Sequence, residues 1–300
     1  MPYILLILAA IFWGGNYVAG SILVHYINPY ALSIFRWGLT TVLMFTLYWR
    51  TIAKEWYLLM SNIKINAIYA LLGQITFPLT LYIGLQYTSS LNASIYISST
   101  PCLVLLINAL FFHEKISWRN ILGVIVSTAG VIYLAFSNAH SGGLASFGIG
   151  DLLTIISAVS WACYCALLRL KDKRVTNTAF VGFTSLIGTI ILVPVYFIYC
   201  YSAGSLTMFN HTPSLYPVLG AIYLVIFPSW LAYVFWNKGV QLLGTTRSEI
   251  FTHIIPISGG LLSIVLLNQQ FHFYHFLTLL LIILGIVLCS GRTSNKVQKV

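Results

Sequence analysis

The chain has 300 residues, of which 15 are Lys or Arg and 5 are Asp or Glu, so charged side chains make up 7%. Soluble domains average about 25%. With 59% hydrophobic residues and a mean hydropathy of +0.91, the chain has too few polar side chains to cover a particle in water. This composition excludes an ordinary soluble globule and predicts an integral membrane protein.

Ten segments between turn residues and charges are apolar enough to cross a bilayer as helices of about 20 residues. They occupy 3–25, 30–49, 65–87, 91–112, 119–137, 151–169, 177–200, 216–237, 248–267 and 273–291. The N-terminus lacks the basic region and cleavage site of a secretory signal, so we expect the first helix to be retained. The sequence thus predicts an all-α integral membrane fold with ten transmembrane helices.

The distribution of Lys and Arg predicts how these helices are oriented. If the N-terminus is cytoplasmic, 14 of the 15 cations fall in inner loops and termini, namely Arg50, Lys54, Lys64, Lys115, Arg119, Arg169, Lys171, Lys173, Arg174, Lys238, Arg247, Arg292, Lys296 and Lys299. The outer loops, near 26–29, 88–90, 138–150, 201–215 and 268–272, then contain no Lys or Arg. The positive-inside rule therefore predicts an inner (plasma) membrane protein with both termini cytoplasmic. Because the cations lie in the inner loops, membrane topology accounts for the net charge of +10, and we expect no nucleic-acid partner.

Similarity between the two halves indicates an internal duplication. Pro101 recurs 155 residues later as Pro256, and Trp13 recurs 148 residues later as Trp161. Because each half has five spans, we expect the second half to be inverted in the membrane, an architecture typical of alternating-access carriers. The predicted divisions are a first repeat at 1–137, a periplasmic linker at 138–150, a second repeat at 151–291 and a cytoplasmic tail at 292–300.

The run Phe-Trp-Gly-Gly-Asn-Tyr-Val-Ala-Gly at 12–20 resembles the opening helix of the EamA family in the drug/metabolite transporter superfamily. The stretch from Tyr87-Thr88-Ser89-Ser90 through Pro101 to Glu114 is similar to the family's third-to-fifth helix signature. The resemblance covers nearly the whole chain and implies ten helices around a central cavity, in a carrier of small metabolites, often amino acids moved outward. The chain departs from the family at Gln269, where the second repeat often has an acid like Glu114.

Trp13 and Asn16 lie on one face of the first helix, with Trp13 about 15 Å from the start of the helix and so near mid-membrane. A mid-membrane indole or amide must pack against protein or face a wet cavity, because unpaired polar groups are costly in hydrocarbon. Two interpretations are open at this stage: an interhelical hydrogen bond that holds the bundle, or a lining of the substrate path.

Arg36 is the single cation outside the predicted inner loops, about 9 Å below the outer end of the second helix. Three roles are open for it. It could pair with Asp151 as an outer gate, hold a substrate carboxylate through its fork of donors, or extend to the outer headgroups.

Glu249 and His253 have the i, i+4 spacing that places two side chains on one helix face, with Glu249 at or near the cytoplasmic boundary. The pair could relay protons. A histidine that bonds a neighbouring helix is the simpler interpretation.

Aromatic residues in the helices could supply a stacking surface for apolar or aromatic metabolites if three or more face one cavity. They are Tyr82, Tyr96, Trp161, Tyr164, Trp230, Tyr233 and Trp236. Pro78 and Pro228 fall in mid-helix, where the missing N–H frees a carbonyl and is expected to bend the chain.

These features predict a carrier of small metabolites that exports amino acids or related compounds by alternating access. The candidate substrate-binding residues are Trp13, Asn16, Arg36, Tyr82, Tyr96, Trp161, Tyr164, Trp230, Tyr233 and His253. We expect no cofactor and no metal, since the five scattered cysteines fit packing and neither His-Glu-x-x-His nor Gly-x-Ser-x-Gly occurs. An intramembrane enzyme and a non-transporting membrane protein are the alternatives. The expected partners are substrate and the lipid bilayer, around a monomer or weak dimer.

Overall fold

The computed structural model describes residues 2–113, 117–137, 148–204, 208–209 and 215–289, which form ten apolar helices and no strand beyond one isolated bridge between Ile27 and Phe209. The helices are α1 Pro2–Leu23, α2 Pro29–Ser61, α3 Ile63–Gly84, α4 Ser90–Phe112, α5 Trp118–Ser137, α6 Ile149–Leu170, α7 Asn177–Ala203, α8 Pro217–Leu243, α9 Glu249–Leu267 and α10 Phe273–Cys289. All except α5 and α10 have apolar stretches long enough to cross a membrane. The predicted ten-helix membrane fold is confirmed.

The predicted end of α2 is wrong. The sequence places the end at residue 49, whereas the helix continues to Ser61 after an interruption at Tyr48, whose φ and ψ are −124° and 21°. The added segment is amphipathic, since Ile52 and Leu59 are buried while Lys54 is exposed. The charged residues that suggested a loop therefore lie on the outer face of a helix.

Both mid-helix prolines occur where the helix changes to π spacing. The segment Ala70–Thr76 of α3 is a π-helix that ends just before Pro78, and the segment Val225–Leu231 of α8 is a π-helix that contains Pro228. Proline has no N–H to donate within the helix, and a π turn accommodates this gap in the hydrogen-bond ladder. Backbone carbonyls nearby are then free to accept from side-chain donors.

The backbone repeats its irregular features at the spacings found in the sequence. The π segments begin at Ala70 in the first half and at Val225 in the second, 155 residues apart. The left-handed residues that end α4 and α9, His113 and Asn268, are also 155 apart. The two halves thus share helix irregularities as well as sequence, which supports the predicted duplication; Glu114 and the linker 138–147 lie outside the described residues.

Helices at equivalent places in the two halves pack together, α2 against α7 and α5 against α10. The second contact is especially close: a Cβ built on Gly285 of α10 would lie 2.5 Å from the carbonyl oxygen of Gly123 on α5. Small residues let helix backbones approach in a membrane, where packing rather than water exclusion drives association.

Contacts between helix ends define what we call the basic end of the bundle. Glu55 near the end of α2 accepts from the backbone N–H of Thr176 at 2.8 Å, and Asn177 donates to Gln241 near the end of α8 at 3.2 Å. The start of α1 joins them, because Leu6 packs against Gly239. The helix ends and connections at this end carry Lys64, Arg169, Lys171, Lys173, Arg174 and Lys238.

The opposite end of the bundle is held by polar contacts between helices. Thr88 donates to Asp151 at 2.8 Å, and Ser90 and Ser263 are joined through their hydroxyls at 2.8 Å. The side-chain oxygen of Gln269 accepts from the backbone N–H of Leu91 at 3.2 Å. The residue that departs from the family pattern thus takes part in closing this end.

Candidate substrate site

Two tryptophans at equivalent places in the repeats meet in the middle of the bundle. The ring centroids of Trp13 and Trp161 are 4.7 Å apart in an edge-to-face arrangement, and both side chains are at most 2% exposed. Trp236 lies 5.1 Å from Trp13, Tyr233 lies 5.6 Å from Trp161, and Tyr164 stacks on Trp161 at 5.0 Å. We call these five residues the aromatic centre; in this conformation their rings fill it.

The aromatic centre is bonded to the π segments on either side of it. The indole N–H of Trp13 donates to the carbonyl of Pro228 at 2.9 Å, and the hydroxyl of Tyr233 donates to the carbonyl of Gly73. The indole N–H of Trp161 has no partner among the described residues. The centre therefore holds an unused hydrogen-bond donor in a place without water-exposed surface.

A fully buried arginine adjoins the aromatic centre. Arg36 is 1% exposed and donates through Nε to Ser229 Oγ at 2.5 Å and through Nη1 to Tyr82 Oη at 2.6 Å and to Asn16 Oδ1 at 3.1 Å. Its ring neighbour is Trp37, 5.1 Å from the guanidinium carbon. Nη2 of Arg36 and Nδ2 of Asn16 have no partner among the described residues.

Two of the three predicted roles of Arg36 are wrong for this conformation. The side chain does not extend to the headgroups, because it is buried among α1, α3 and α8. Nor does it pair with Asp151, whose Oδ1 accepts instead from Thr88 and from Tyr96 at 3.2 Å. The rotation of α2 turns Arg36 toward the bundle axis, whereas Asp151 lies in the first turn of α6, at the opposite end of the bundle. The role of holding a substrate carboxylate stays a prediction.

The hydroxyl of Tyr164 donates to Asn237 Oδ1 at 3.2 Å, while that of Tyr82 donates to Asn16 Oδ1 at 2.9 Å. Tyr164 follows Asn16 by the 148 residues that separate Trp13 from Trp161, and Asn237 follows Tyr82 by the 155 that separate Pro101 from Pro256. The same hydrogen bond is thus present in both halves with its residue types exchanged. We call these the Tyr82–Asn16 and Tyr164–Asn237 pairs.

The contact between Arg36 and Ser229 has an equivalent in the repeat that involves only uncharged residues. Thr184 lies 148 residues after Arg36 and Gln74 lies 155 residues before Ser229, and Gln74 Nε2 donates to Thr184 Oγ1 at 3.1 Å. The first half therefore contributes a cation where the second half contributes a hydroxyl. This asymmetry gives the buried site a positive charge near one of its two Tyr–Asn pairs.

Asn237, the partner of Tyr164, lines a cavity of about 930 Å³ at the basic end, which we call the vestibule, so the Tyr164–Asn237 pair joins this cavity to the aromatic centre. Its lining includes Arg169, Lys171, Lys173, Lys238, Asn108 and Asn237. The Tyr82–Asn16 pair lies on the other side of the centre, because Asn16 follows Trp13 along α1, which begins at the basic end. A hollow of about 710 Å³ at the opposite end, lined by Ser21, His25 and Gln269, includes no residue of the centre.

Two charged residues at the vestibule, Lys171 and Asp172, have shifted pKa values. Burial, opposed by the nearby Glu55 and Asp172 and reinforced by Lys238, lowers the pKa of Lys171 to about 8. The ammonium of Lys171 donates to the carbonyl of Val175. Asp172 forms an ion pair with Arg174 at 2.7 Å, and these hydrogen bonds lower the pKa of Asp172 to about 2.

Three predicted site residues lie away from the aromatic centre. Tyr96 is bonded to Asp151, as described above, and Trp230 contacts the ring of Tyr48 at 6.3 Å. His253 is partly buried in the first turn of α9, and its Nε2 has no partner among the described residues.

The predicted pairing of Glu249 with His253 on one face is wrong. Residues Glu249–His253 form a 3₁₀ helix, in which positions three apart rather than four apart are aligned. Glu249 is also not at a wet boundary, since it is 1% exposed and neither of its carboxyl oxygens has a hydrogen-bond partner among the described residues. The sequence therefore concealed a buried carboxyl.

Asn237, Ser229 and Asn108 contribute to the site and were missed in the sequence. The repeat spacing was the signal available for Asn237, because it pairs this residue with Tyr82. Ser229 was marked only by its neighbour Pro228. Nothing in the local sequence distinguishes Asn108 from other small polar residues in apolar helices.

Ten apolar helices that enclose a buried, partly unpaired polar and aromatic centre, with a cavity leading toward it from one end, define a multi-pass membrane protein of the transporter class. The model of the EamA-like transporter family matches residues 1–136 and again residues 148–291, so the chain belongs to this family. The resemblance inferred from the opening helix is confirmed.

The curated relatives are distant but cover most of the chain. The uncharacterized transporter YetK of Bacillus subtilis (strain 168) is 25% identical over 95% of this chain and 85% of its own length. The aromatic amino acid exporter YddG of Salmonella typhimurium (strain 14028s / SGSC 2262) is 22% identical over 74% of this chain and 75% of its own. A solved crystal structure matches with a TM-score of 0.67 and 17% identity over 96% of both chains, which supports the fold.

Proposed function

We propose that the protein is an inner-membrane carrier that exports small metabolites with a carboxylate and an apolar or aromatic body, amino acids or related compounds, by alternating access. The basic end is cytoplasmic, with both chain termini on that side, and the two halves are inverted relative to each other. The observation that carries the proposal is the aromatic centre with an equivalent Tyr–Asn pair on either side.

The unpaired groups of the site support a carboxylate as the recognised group. Arg36 Nη2, Asn16 Nδ2 and the indole N–H of Trp161 are all donors, and Arg36 contacts no carboxylate among the described residues. A carboxylate would accept from several donors at once and neutralise the buried guanidinium, a charge that is costly without a counterion. The tryptophans and tyrosines around it would cover the rest of the ligand.

The duplicated pairs support alternating access. A substrate that comes from the basic end must separate Tyr164 from Asn237 and move apart the rings of the aromatic centre. Release at the opposite end requires the equivalent separation of Tyr82 from Asn16. Each pair is held by one hydrogen bond of about 1 kcal/mol, so this term is similar on the two sides of the centre. The relative described by its name as an aromatic amino acid exporter supports the substrate class.

The test is counterflow in proteoliposomes with a panel of aromatic amino acids and related carboxylates. We expect exchange by the wild type, loss of exchange in Arg36→Gln, and partial exchange in Arg36→Lys, which keeps the charge but not the fork. Arg50→Gln, which removes an exposed cation over the ring of Trp49, is the matched control. The wild type should also gain thermal stability in detergent with an accepted carboxylate, a measurement that does not depend on variants folding. Absence of any carboxylate exchange or stabilisation would overturn the proposal.

A further inference from the structure

The described lining of the vestibule carries positive charge. Among its described lining residues are Arg169, Lys171, Lys173 and Lys238, and none is Asp or Glu. Glu55 and Asp172 lie near Lys171 but do not line the cavity: Asp172 pairs with Arg174, and Glu55 accepts from the backbone and hydroxyl of Thr176. A cavity lined by one sign of charge concentrates ligands of the opposite sign.

Buried amides in the vestibule lining indicate a ligand independently of the charges. Asn108 and Asn237 are each 3% exposed, and Oδ1 of Asn108 and Nδ2 of Asn237 have no partner among the described residues. Buried amide atoms are normally paired, so a site that leaves one on each residue unpaired is suited to a polar ligand. Asn237 also bonds Tyr164, which stacks on Trp161 of the aromatic centre. The vestibule is therefore connected to the aromatic centre through Asn237 and Tyr164.

The charges along this route are one-sided. A carboxylate meets the vestibule cations first and Arg36 later, whereas the α-ammonium group of an amino acid meets repulsion at the entrance. Among the described residues, Glu249 is a buried carboxyl near the route. It lies near Cys165, which follows Tyr164 in the chain, and neither of its oxygens has a hydrogen-bond partner among the described residues.

We propose that the vestibule is the entry site for net-negative organic acids and that the carrier prefers these to zwitterionic amino acids. The inference rests on the proposed transport function and narrows its substrate class. It treats Lys173 and Lys238 as groups that capture the ligand at the entrance, and Arg36 as the group that holds the carboxylate at the centre.

The experiment compares phenyllactate with phenylalanine, which share the ring and the carboxylate and differ in a hydroxyl against an ammonium. Uptake is measured from the basic-end side of oriented proteoliposomes. We expect the KM of the wild type for phenyllactate to be about tenfold lower than for phenylalanine. The double variant Lys173→Gln/Lys238→Gln should raise the KM for phenyllactate about fivefold with little change in kcat and little effect on phenylalanine.

The matched control is Lys54→Gln/Lys64→Gln, which removes two exposed cations at the same end but outside the vestibule. An equal rise in KM in this control would overturn the inference, since general surface charge would then explain the effect. A preference for phenylalanine that is lost in Glu249→Gln would also overturn it, because Glu249 would then bind the ammonium. Those results leave the carrier function standing, whereas failure to move either compound would overturn the function itself.

The cations of the vestibule could instead hold an anionic lipid headgroup, which shares the chemistry of a carboxylate or phosphate ligand. Repeating the KM measurements in vesicles of zwitterionic lipid alone separates these sources. A fivefold effect of Lys173→Gln/Lys238→Gln in both lipid compositions supports a soluble ligand. An effect confined to vesicles with anionic lipid would overturn the inference.

Discussion

The hydroxyl of Tyr164 donates a hydrogen bond to Asn237 in the lining of the vestibule. Across the aromatic centre the repeat has the same pair with the residue types exchanged, as Asn16 and Tyr82. In each half the hydrogen bond joins the first and third helices, α1 to α3 and α6 to α8, although the tyrosine and the asparagine have changed places. This arrangement is expected of two gates that must have similar strength, because a carrier that favoured one closed state strongly would seldom open the other way.

Removal of either hydroxyl should shift the carrier in opposite directions. In Tyr164→Phe the basic-end gate loses about 1 kcal/mol, so the population open to that side should rise about fivefold; Tyr82→Phe should lower it. Cys165 is a buried reporter next to Tyr164. Its labelling by a thiol reagent from the basic-end side, with the other cysteines replaced by Ser, should speed up in the first variant and slow down in the second. Equal changes in both variants would contradict the gate assignment.

Trp13 should matter for transport in proportion to the ring and N–H that it retains. Trp13→Ala removes the contact with Trp161 and leaves the Pro228 carbonyl unpaired, so we expect transport to fall at least about tenfold and the free energy of unfolding to fall by about 3 kcal/mol. Trp13→Phe keeps a ring and should be intermediate. The measurements are uptake in proteoliposomes and thermal unfolding in detergent.

Trp230 provides the control for this series, because its ring contacts Tyr48 outside the aromatic centre. Trp230→Ala should transport at nearly the wild-type rate. If Trp13→Ala folds and transports normally, or if both alanine variants lose transport equally, Trp13 is a packing residue rather than part of the substrate site.

The sequence predicted features that depend on the chain's own pattern, but not contacts that depend on how helices rotate against one another. The ten helices were predictable because a bilayer requires long apolar segments, and the equivalence of Trp13 and Trp161 was visible from the repeat. Their contact was not predicted. The partners of Arg36 were not, since the rotation of α2 decides whether its side chain faces Asp151, lipid or Ser229. Glu249 was misplaced because apolar sequence on one side of a charge does not reveal a 3₁₀ turn that buries it.

The orientation of the bundle can be tested at one position near each end. With native cysteines replaced, Asp172→Cys in the basic α6–α7 connection should react with an impermeant thiol reagent only from the cytoplasmic side. Tyr201→Cys, at a position 92% exposed near the other end of α7, should react only from outside. Reaction of position 172 in intact cells would contradict the proposed topology. Labelling after permeabilisation shows that each cysteine is reactive.

The capture of anions by the vestibule should weaken as the pH rises through about 8. The pKa of Lys171 is lowered to about 8 by burial, so its ammonium is charged at pH 7 and largely neutral at pH 9. A neutral amine no longer attracts a carboxylate, and the KM for phenyllactate on the basic-end side should therefore rise severalfold between these values, with kcat less affected. Lys171→Arg keeps its charge throughout and should abolish the rise, whereas Lys64→Arg, exposed at the same end, should retain it. A pH dependence that persists unchanged in Lys171→Arg would assign the titration to another group and remove Lys171 from the entry site.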